Sequence, residues 1–317
     1  MTENTLKEKT AKGLMWGTIS NGAQLVLGTL FGIFLARILS PSDYGMVGLL
    51  TVFSQIASVL QDSGFRTALA NRREIVHEDY NAVFWFNVGT SCVMYLLLFF
   101  LAPLITEFYQ HSDAAANQDL SELTPLARFS FLGFVIASLG TAHYAYLFRT
   151  LQVKQKAIIT VISLTTSSTI GLTMALKGYA YWGLATQGIA FTTCNTILFW
   201  YFSKWRPTLP VSFHPLKEMF GFSSKLLAND ICNNINGNIL SVMLGRFYAV
   251  HDVGLYNQAN KWTSMVSTMV LGTIKDVAQP VLRNVETERE RHKRVFRKML
   301  RFNAFMVFPA LFGLALI

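Results

Sequence analysis

Nine largely apolar stretches recur along the chain, at approximately 14–38, 45–62, 82–106, 124–148, 157–176, 181–202, 219–247, 253–274 and 302–317, with short polar connections between them. A helix crossing the hydrocarbon core of a bilayer needs about 20 mostly apolar residues, so each stretch is predicted to be a spanning helix. The last is still apolar where the sequence stops. The expected fold class is therefore all-α, a polytopic membrane helical bundle.

The polar connections differ systematically. Lys and Arg fall on every second one: Lys7, Lys9 and Lys12; Arg66, Arg72 and Arg73; Arg149, Lys154 and Lys156; Lys204, Arg206, Lys217 and Lys225; and a run from Lys275 to Arg301. Together these hold 22 of the 27 cations, whereas the connection from Glu107 to Glu122 carries four acids and no Lys or Arg. Such asymmetry orients membrane proteins with the basic connections inside, which places the N-terminus in the cytoplasm. The net charge of +9 is then mostly topological. The basic run around Arg289–Lys298 is interleaved with Glu286, Glu288 and Glu290 and precedes an apolar stretch, so it is expected to lie near anionic membrane lipids, not nucleic acid.

Composition narrows the chemistry. Charged residues are 14% of the 317, against about 25% in soluble globular proteins, and mean hydropathy is +0.36. Cys92, Cys194 and Cys232 lie singly within predicted spans, so neither a disulfide framework nor a metal site is expected. The six histidines show no HExxH spacing, no GxxxxGK[ST] loop is present, and no cofactor is implied. The first apolar stretch is too long for a signal-peptide core and lacks a cleavage site, so it is expected to remain as the first span.

An internal repeat sharpens the picture. Leu35-Ala36-Arg37-Ile38-Leu39-Ser40-Pro41-Ser42-Asp43-Tyr44-Gly45 aligns with Leu244-Gly245-Arg246-Phe247-Tyr248-Ala249-Val250-His251-Asp252-Val253-Gly254, an offset of 209 residues that matches Arg, Asp and Gly. The same offset pairs Ser20, Asn21 and Gln24 with Asn229, Asp230 and Asn233. Six helices separate the copies, so the repeats run parallel. Residues 1–210 are expected to form an N-terminal lobe of six helices, and 211–317 the first three helices of a C-terminal lobe whose remainder would complete at least 12 spans.

Those residues carry a resemblance. The Lys-rich N-terminus, Gly13-Leu14-Met15-Trp16-Gly17, the helix exit Leu35–Gly45, Asp62-Ser63-Gly64-Phe65 and the passage Val253-Gly254-Leu255-Tyr256-Asn257-Gln258-Ala259 resemble the Wzx-like oligosaccharide flippases. That polysaccharide-transport branch belongs to the MOP superfamily, with the MATE exporters and the lipid II flippase. The resemblance implies a MATE/MOP-like two-lobe fold, here with a complete first lobe and a partial second. It implies alternating access, and a bacterial inner-membrane transporter, not an enzyme, that moves undecaprenyl-diphosphate-linked oligosaccharide to the periplasmic leaflet for O-antigen, capsule or exopolysaccharide assembly. Membrane lipids and other polysaccharide assembly proteins are the further implied partners. The alternatives are a MATE-like multidrug exporter, a lipid II flippase, or, in another class, a polysaccharide-processing membrane enzyme.

A diphosphate headgroup with sugars asks for cations and hydrogen-bonding groups inside an apolar bundle, and intramembrane charges are functional candidates by default. Arg128 is the most interior cation of the first lobe, Arg37 and Arg246 end symmetric helices, and Lys261 sits beside Trp262. Arginine's planar fork suits phosphate. The structural alternatives are that Arg128 snorkels to the interface and that Arg37 and Arg246 pair with Asp43 and Asp252 in turns shared with Gly45 and Gly254. Asn229, Asp230, Asn233, Asn234, Asn236 and Asn238 form two adjacent stripes on one side of a helix. They either line a cavity for sugar hydroxyls or bond neighbouring helices. Asp230 is the candidate for cation or proton coupling, and the cavity is expected to be basic and amide-rich. Gly13-x3-Gly17 and Gly28-x3-Gly32 predict close packing of the first helix.

Overall fold

The computed structural model describes residues 3–62, 65, 69, 75–110, 120–150, 152–209 and 212–265, with scattered positions from 293 to 313. The ninth predicted span, the end of the eighth, most of the basic run from Lys275 to Arg301, the cations Arg66, Arg72 and Arg73, the acids Asp113 and Asp119, and the side chains before Trp16 lie outside the described residues. The helices are α1 (Glu3–Ile38), α2 (Pro41–Asp62), α3 (His77–Gln110), α4 (Leu123–Arg149), α5 (Val153–Leu176), α6 (Ala180–Phe202), α7 (His214–Phe247) and α8 (250–265). Among the described residues there is no strand. The chain forms two compact units, Met1–Gly254 and Leu255–Ile317, and the packing below is that of the first.

Five helical stretches, Ile19–Ile38, Pro41–Gln61, His77–Gln110, Leu123–Arg149 and Val153–Leu176, are long and apolar enough to cross a membrane. Helices α6 and α7 have the length, at 23 and 34 residues, but threonines, Gln187 and Asn195 interrupt the apolar run of α6, and asparagines and charged residues that of α7. The exterior fits lipid. Leu96, Phe100 and Leu104, one turn apart on α3, are 54%, 73% and 57% exposed, a stripe that in water would be a large apolar patch.

In the bundle α1 lies on α5, α5 on α6, α6 on α4 and α4 on α3, while α2 contacts α4, α6 and α7. One core cluster joins Leu49 and Leu50 of α2 to Ile105 and Tyr109 of α3, Leu126 and Phe131 of α4, and Val250 and Val253 of α8. A second, toward the Lys/Arg-rich connections, gathers Val83 and Phe84, Ala142 and Ala145, Trp205 and Met219.

Of the four glycines expected to mediate close packing, Gly17 does not do so. Nothing lies within 4 Å of a β-carbon placed at Gly17, whereas one at Gly183 would lie 3.2 Å from the Gly171 carbonyl oxygen and 3.3 Å from the Ala175 nitrogen. The tightly packed pair is thus α5 and α6, because their small residues face each other and those of α1 near Gly17 face open space. The α5–α6 connection closes with Gly178 at φ +83. Its N–H donates to Ala175 O (3.0 Å) and that of Tyr179 to Met174 O (3.1 Å), the paired bonds of a Schellman cap that a left-handed residue permits.

The repeat appears in three dimensions. At the start of α2, Ser40 N and Oγ both donate to Asp43 Oδ2 at 2.8 and 2.7 Å, and Asp43 N donates back to Ser40 Oγ at 3.3 Å. This is a capping box with Pro41 at the first helical position. The second copy has Ala249 where Ser40 stands and no cap hydroxyl, so Asp252 faces His251 instead, at 3.7 Å. The two helix starts then meet. A β-carbon at Gly45 would collide with the Val250 carbonyl, and one at Gly254 with the Pro41 carbonyl. Residues 41 and 250 are themselves related by the 209-residue offset, so the contact is symmetric.

Candidate functional site

A cavity of about 420 Å³ opens among α2, α4, α6 and α7. The approach of α4 and α6 shapes one wall. A β-carbon at Gly140 would lie 3.2 Å from Thr196 Oγ1 and 3.4 Å from the Phe199 ring, so glycine there sets the spacing. Thr196 Oγ1 donates to Ile136 O at 3.0 Å and Trp200 Nε1 to Leu139 O at 2.8 Å. Both bonds cross from α6 to α4 carbonyls and fix their register.

The wall these bonds hold is polar. Thr141 and Thr192 donate to carbonyls of their own helices, leaving their oxygen lone pairs available to the cavity. Asn195 Oδ1 is buried with no hydrogen-bond partner among the described residues. Gln61 of α2, 5% exposed, also lines the space. Tyr144 and Phe199 meet edge to face at 5.6 Å and close one side. Asp230 of α7 brings the one charge, and no Lys or Arg lines the cavity among the described residues. The cavity is therefore amide- and hydroxyl-rich with an acid, and not basic as the sequence suggested. None of the expected cations appears in its lining among the described residues.

Arg128 is the clearest case. Pro103 lies inside α3 and has no N–H, so the carbonyl four residues earlier, that of Phe99, loses its helical donor. Arg128 Nε donates to that oxygen at 3.3 Å, and its guanidinium lies 4.2 Å from the Phe99 ring centroid. The side chain thus clasps α4 to α3 at a proline-made gap. Arg37 is exposed, and its pairing with Asp43 is replaced by the Ser40 cap, whose donors are nearer in the chain and already oriented. Arg246 stacks over Phe108 at 5.4 Å, with Nη1 buried and unpartnered among the described residues. Lys261 belongs to the second unit, where it is exposed.

The α7 stripes divide. Asn234 Nδ2 donates to Asp230 O at 2.8 Å, and Asn238 Nδ2 to Asn234 O at 2.9 Å and Gln55 Oε1 of α2 at 2.8 Å. The stripe of 230, 234 and 238 therefore runs from the cavity to the α2 contact. Asn229, Asn233 and Asn236 are exposed, with Asn229 Nδ2 only 3.4 Å from Asp230 Oδ1. Missed from sequence were Gln61, Thr141, Tyr144, Thr192, Asn195 and Thr196. Their signal was the polar run Thr192-Thr193-Cys194-Asn195-Thr196 inside an otherwise apolar span. Among the described residues no group of three or more His, Cys, Asp or Glu is placed to hold a metal.

A bundle of this kind, with a polar cavity between long apolar helices, has known counterparts. The family described as polysaccharide biosynthesis protein matches residues 34–317. The chain belongs to that family. Among its similar proteins are the lipopolysaccharide biosynthesis protein WzxC of Escherichia coli (29% identity over 99% of this chain), the succinoglycan biosynthesis transport protein ExoT of Rhizobium meliloti (25%, 99%) and the teichuronic acid biosynthesis protein TuaB of Bacillus subtilis (23%, 98%). The chain spans 62% of the length of the first two and 63% of the third. In fold it is similar to an inward-facing MATE family transporter of the MOP superfamily, with a TM-score of 0.64 at 17% identity, over 90% of this chain and 68% of that one. A MATE crystallised with the ligand MaL6 gives 0.53 at 16%, over 96% and 70%. This member of the polysaccharide biosynthesis family is accordingly a multi-pass membrane protein with a MOP-like helical bundle.

Proposed function

We propose that the full-length protein flips undecaprenyl-diphosphate-linked oligosaccharide from the cytoplasmic to the periplasmic leaflet of the bacterial inner membrane by alternating access. The carrying observation is a hydroxyl- and amide-lined cavity inside a membrane bundle of the polysaccharide biosynthesis family. Sugar hydroxyls need donors and acceptors shielded from lipid, and Gln61, Thr141, Thr192 and Asn195 supply them. In this reading residues 1–210 are the first six-helix lobe, 211–317 begin the second, and the N-terminus is cytoplasmic. Asp230 is the coupling acid, a carboxylate whose ionisation or cation occupancy would differ between the two access states. The protein acts as a transporter and performs no chemistry on the glycan.

The test is depletion of the full-length protein from its own cells. Lipid-linked oligosaccharide should accumulate facing the cytoplasm, and its glycan would identify the cargo. Unchanged intermediates would sink the proposal. One observation favours a second reading, export of a cationic compound: Asp230 is the cavity's charge, and among the described residues no cation lines the cavity to offset it. Hypersensitivity to cationic drugs with normal lipid-linked intermediates would select that reading.

A further inference from the structure

A cavity that accepts a lipid diphosphate needs a cation within reach, and its own lining has none among the described residues. Some cations of the bundle are committed to backbone carbonyls. Arg128 serves the Phe99 carbonyl, and Arg206 donates to the carbonyls of Ser203 and Trp205. Lys156 differs. Its Nζ lies 4.1 Å from the centroid of Tyr144, a cavity-lining residue, and 4.7 Å from that of Phe148. Those two rings are stacked at 6.4 Å and 8°, and Phe199 braces Tyr144 edge-on.

Ring faces hold an ammonium through their quadrupole without accepting its N–H groups as a carboxylate would. No carboxylate pairs with Lys156 among the described residues. Half-buried on aromatic faces, it lies against the ring of a cavity-lining residue with donors to spare. Helix stability does not explain it, since a cation in the first turn of α5 (Val153–Leu176) opposes the helix dipole.

On the reading given above, we infer that Lys156, carried by the Tyr144–Phe148 stack, is the cationic contact for the cargo's diphosphate at the edge of the cavity. The aromatic stack is its support, and the amides and hydroxyls farther in meet the sugars.

The test titrates purified full-length protein in phosphatidylcholine nanodiscs with undecaprenyl diphosphate and with undecaprenol. Wild type should prefer the diphosphate. Lys156→Gln should weaken diphosphate binding by roughly tenfold or more, the loss of a charged hydrogen bond, and leave undecaprenol binding unchanged. Lys156→Arg should restore most of the difference, and its thermal stability guards against misfolding. Diphosphate binding unaltered in Lys156→Gln would overturn the assignment. So would abolition of the lysine-dependent difference by equimolar phosphatidylglycerol, which would make Lys156 a membrane-headgroup contact. A wild type blind to the diphosphate would instead overturn the cargo reading itself.

Discussion

At the scale of single residues, Arg128 shows how a functional signature and a structural one look alike in sequence. An arginine within a predicted span reads as a ligand for anionic cargo, yet here Pro103 leaves the Phe99 carbonyl open and Arg128 fills it. The two positions are 25 apart in the chain, and nothing local couples them. Arg128→Ala should destabilise the protein by about 1–3 kcal/mol, the cost of leaving a part-buried acceptor unsatisfied. Pro103→Ala returns the helical N–H, so Arg128→Ala should cost distinctly less in that background. Thermal unfolding of the four proteins in detergent measures the coupling, and strict additivity would refute the clasp.

Among elements, the legible part was periodicity and the illegible part was facing. Apolar runs located α1 to α8 because hydropathy is a local property. Their ends extend beyond the runs, since capping groups such as Ser40 and Asp43 carry the helix into polar sequence. The small-residue pattern near Gly17 gave no information about which neighbour it would meet, and the tight seam formed between α5 and α6 instead. Gly183→Leu should therefore destabilise by about 1–3 kcal/mol through overpacking against backbone that has nowhere to go. Gly17→Leu should be nearly neutral. Comparison of melting temperatures distinguishes them. The α5–α6 turn makes a separate demand: Gly178→Ala should cost about 1–2 kcal/mol, the penalty for a β-carbon in the left-handed region, read the same way.

For the whole molecule, charge and repeat predict an orientation and a division into lobes, and labelling tests the orientation. The basic connections predict that a cysteine at Ser112, placed in a cysteine-free background, reacts with a membrane-impermeant maleimide in intact spheroplasts, while one at Lys204 reacts only after permeabilisation. The opposite pattern would invert the topology. The candidate site was half legible at this scale. Asp230 was visible because an acid among amides in a span stands out, and it does line the cavity. The α6 contribution was obscured because threonine and asparagine in a span are as often packing as lining, and only the α4–α6 approach at Gly140 shows which they are.

The seam between Gly45 and Gly254 ties the fates of two distant positions together. Each glycine yields room to a carbonyl of the other copy, Val250 for Gly45 and Pro41 for Gly254, so a methyl group at either would pry the same pair of helices apart. Once parted, the second methyl has little left to disturb. Gly45→Ala and Gly254→Ala should each lower folded yield sharply, and the double substitution should do little more than one alone, a strongly non-additive pair. Neither half of the duplication is then free to drift at this position without already having spoiled the tolerance of the other.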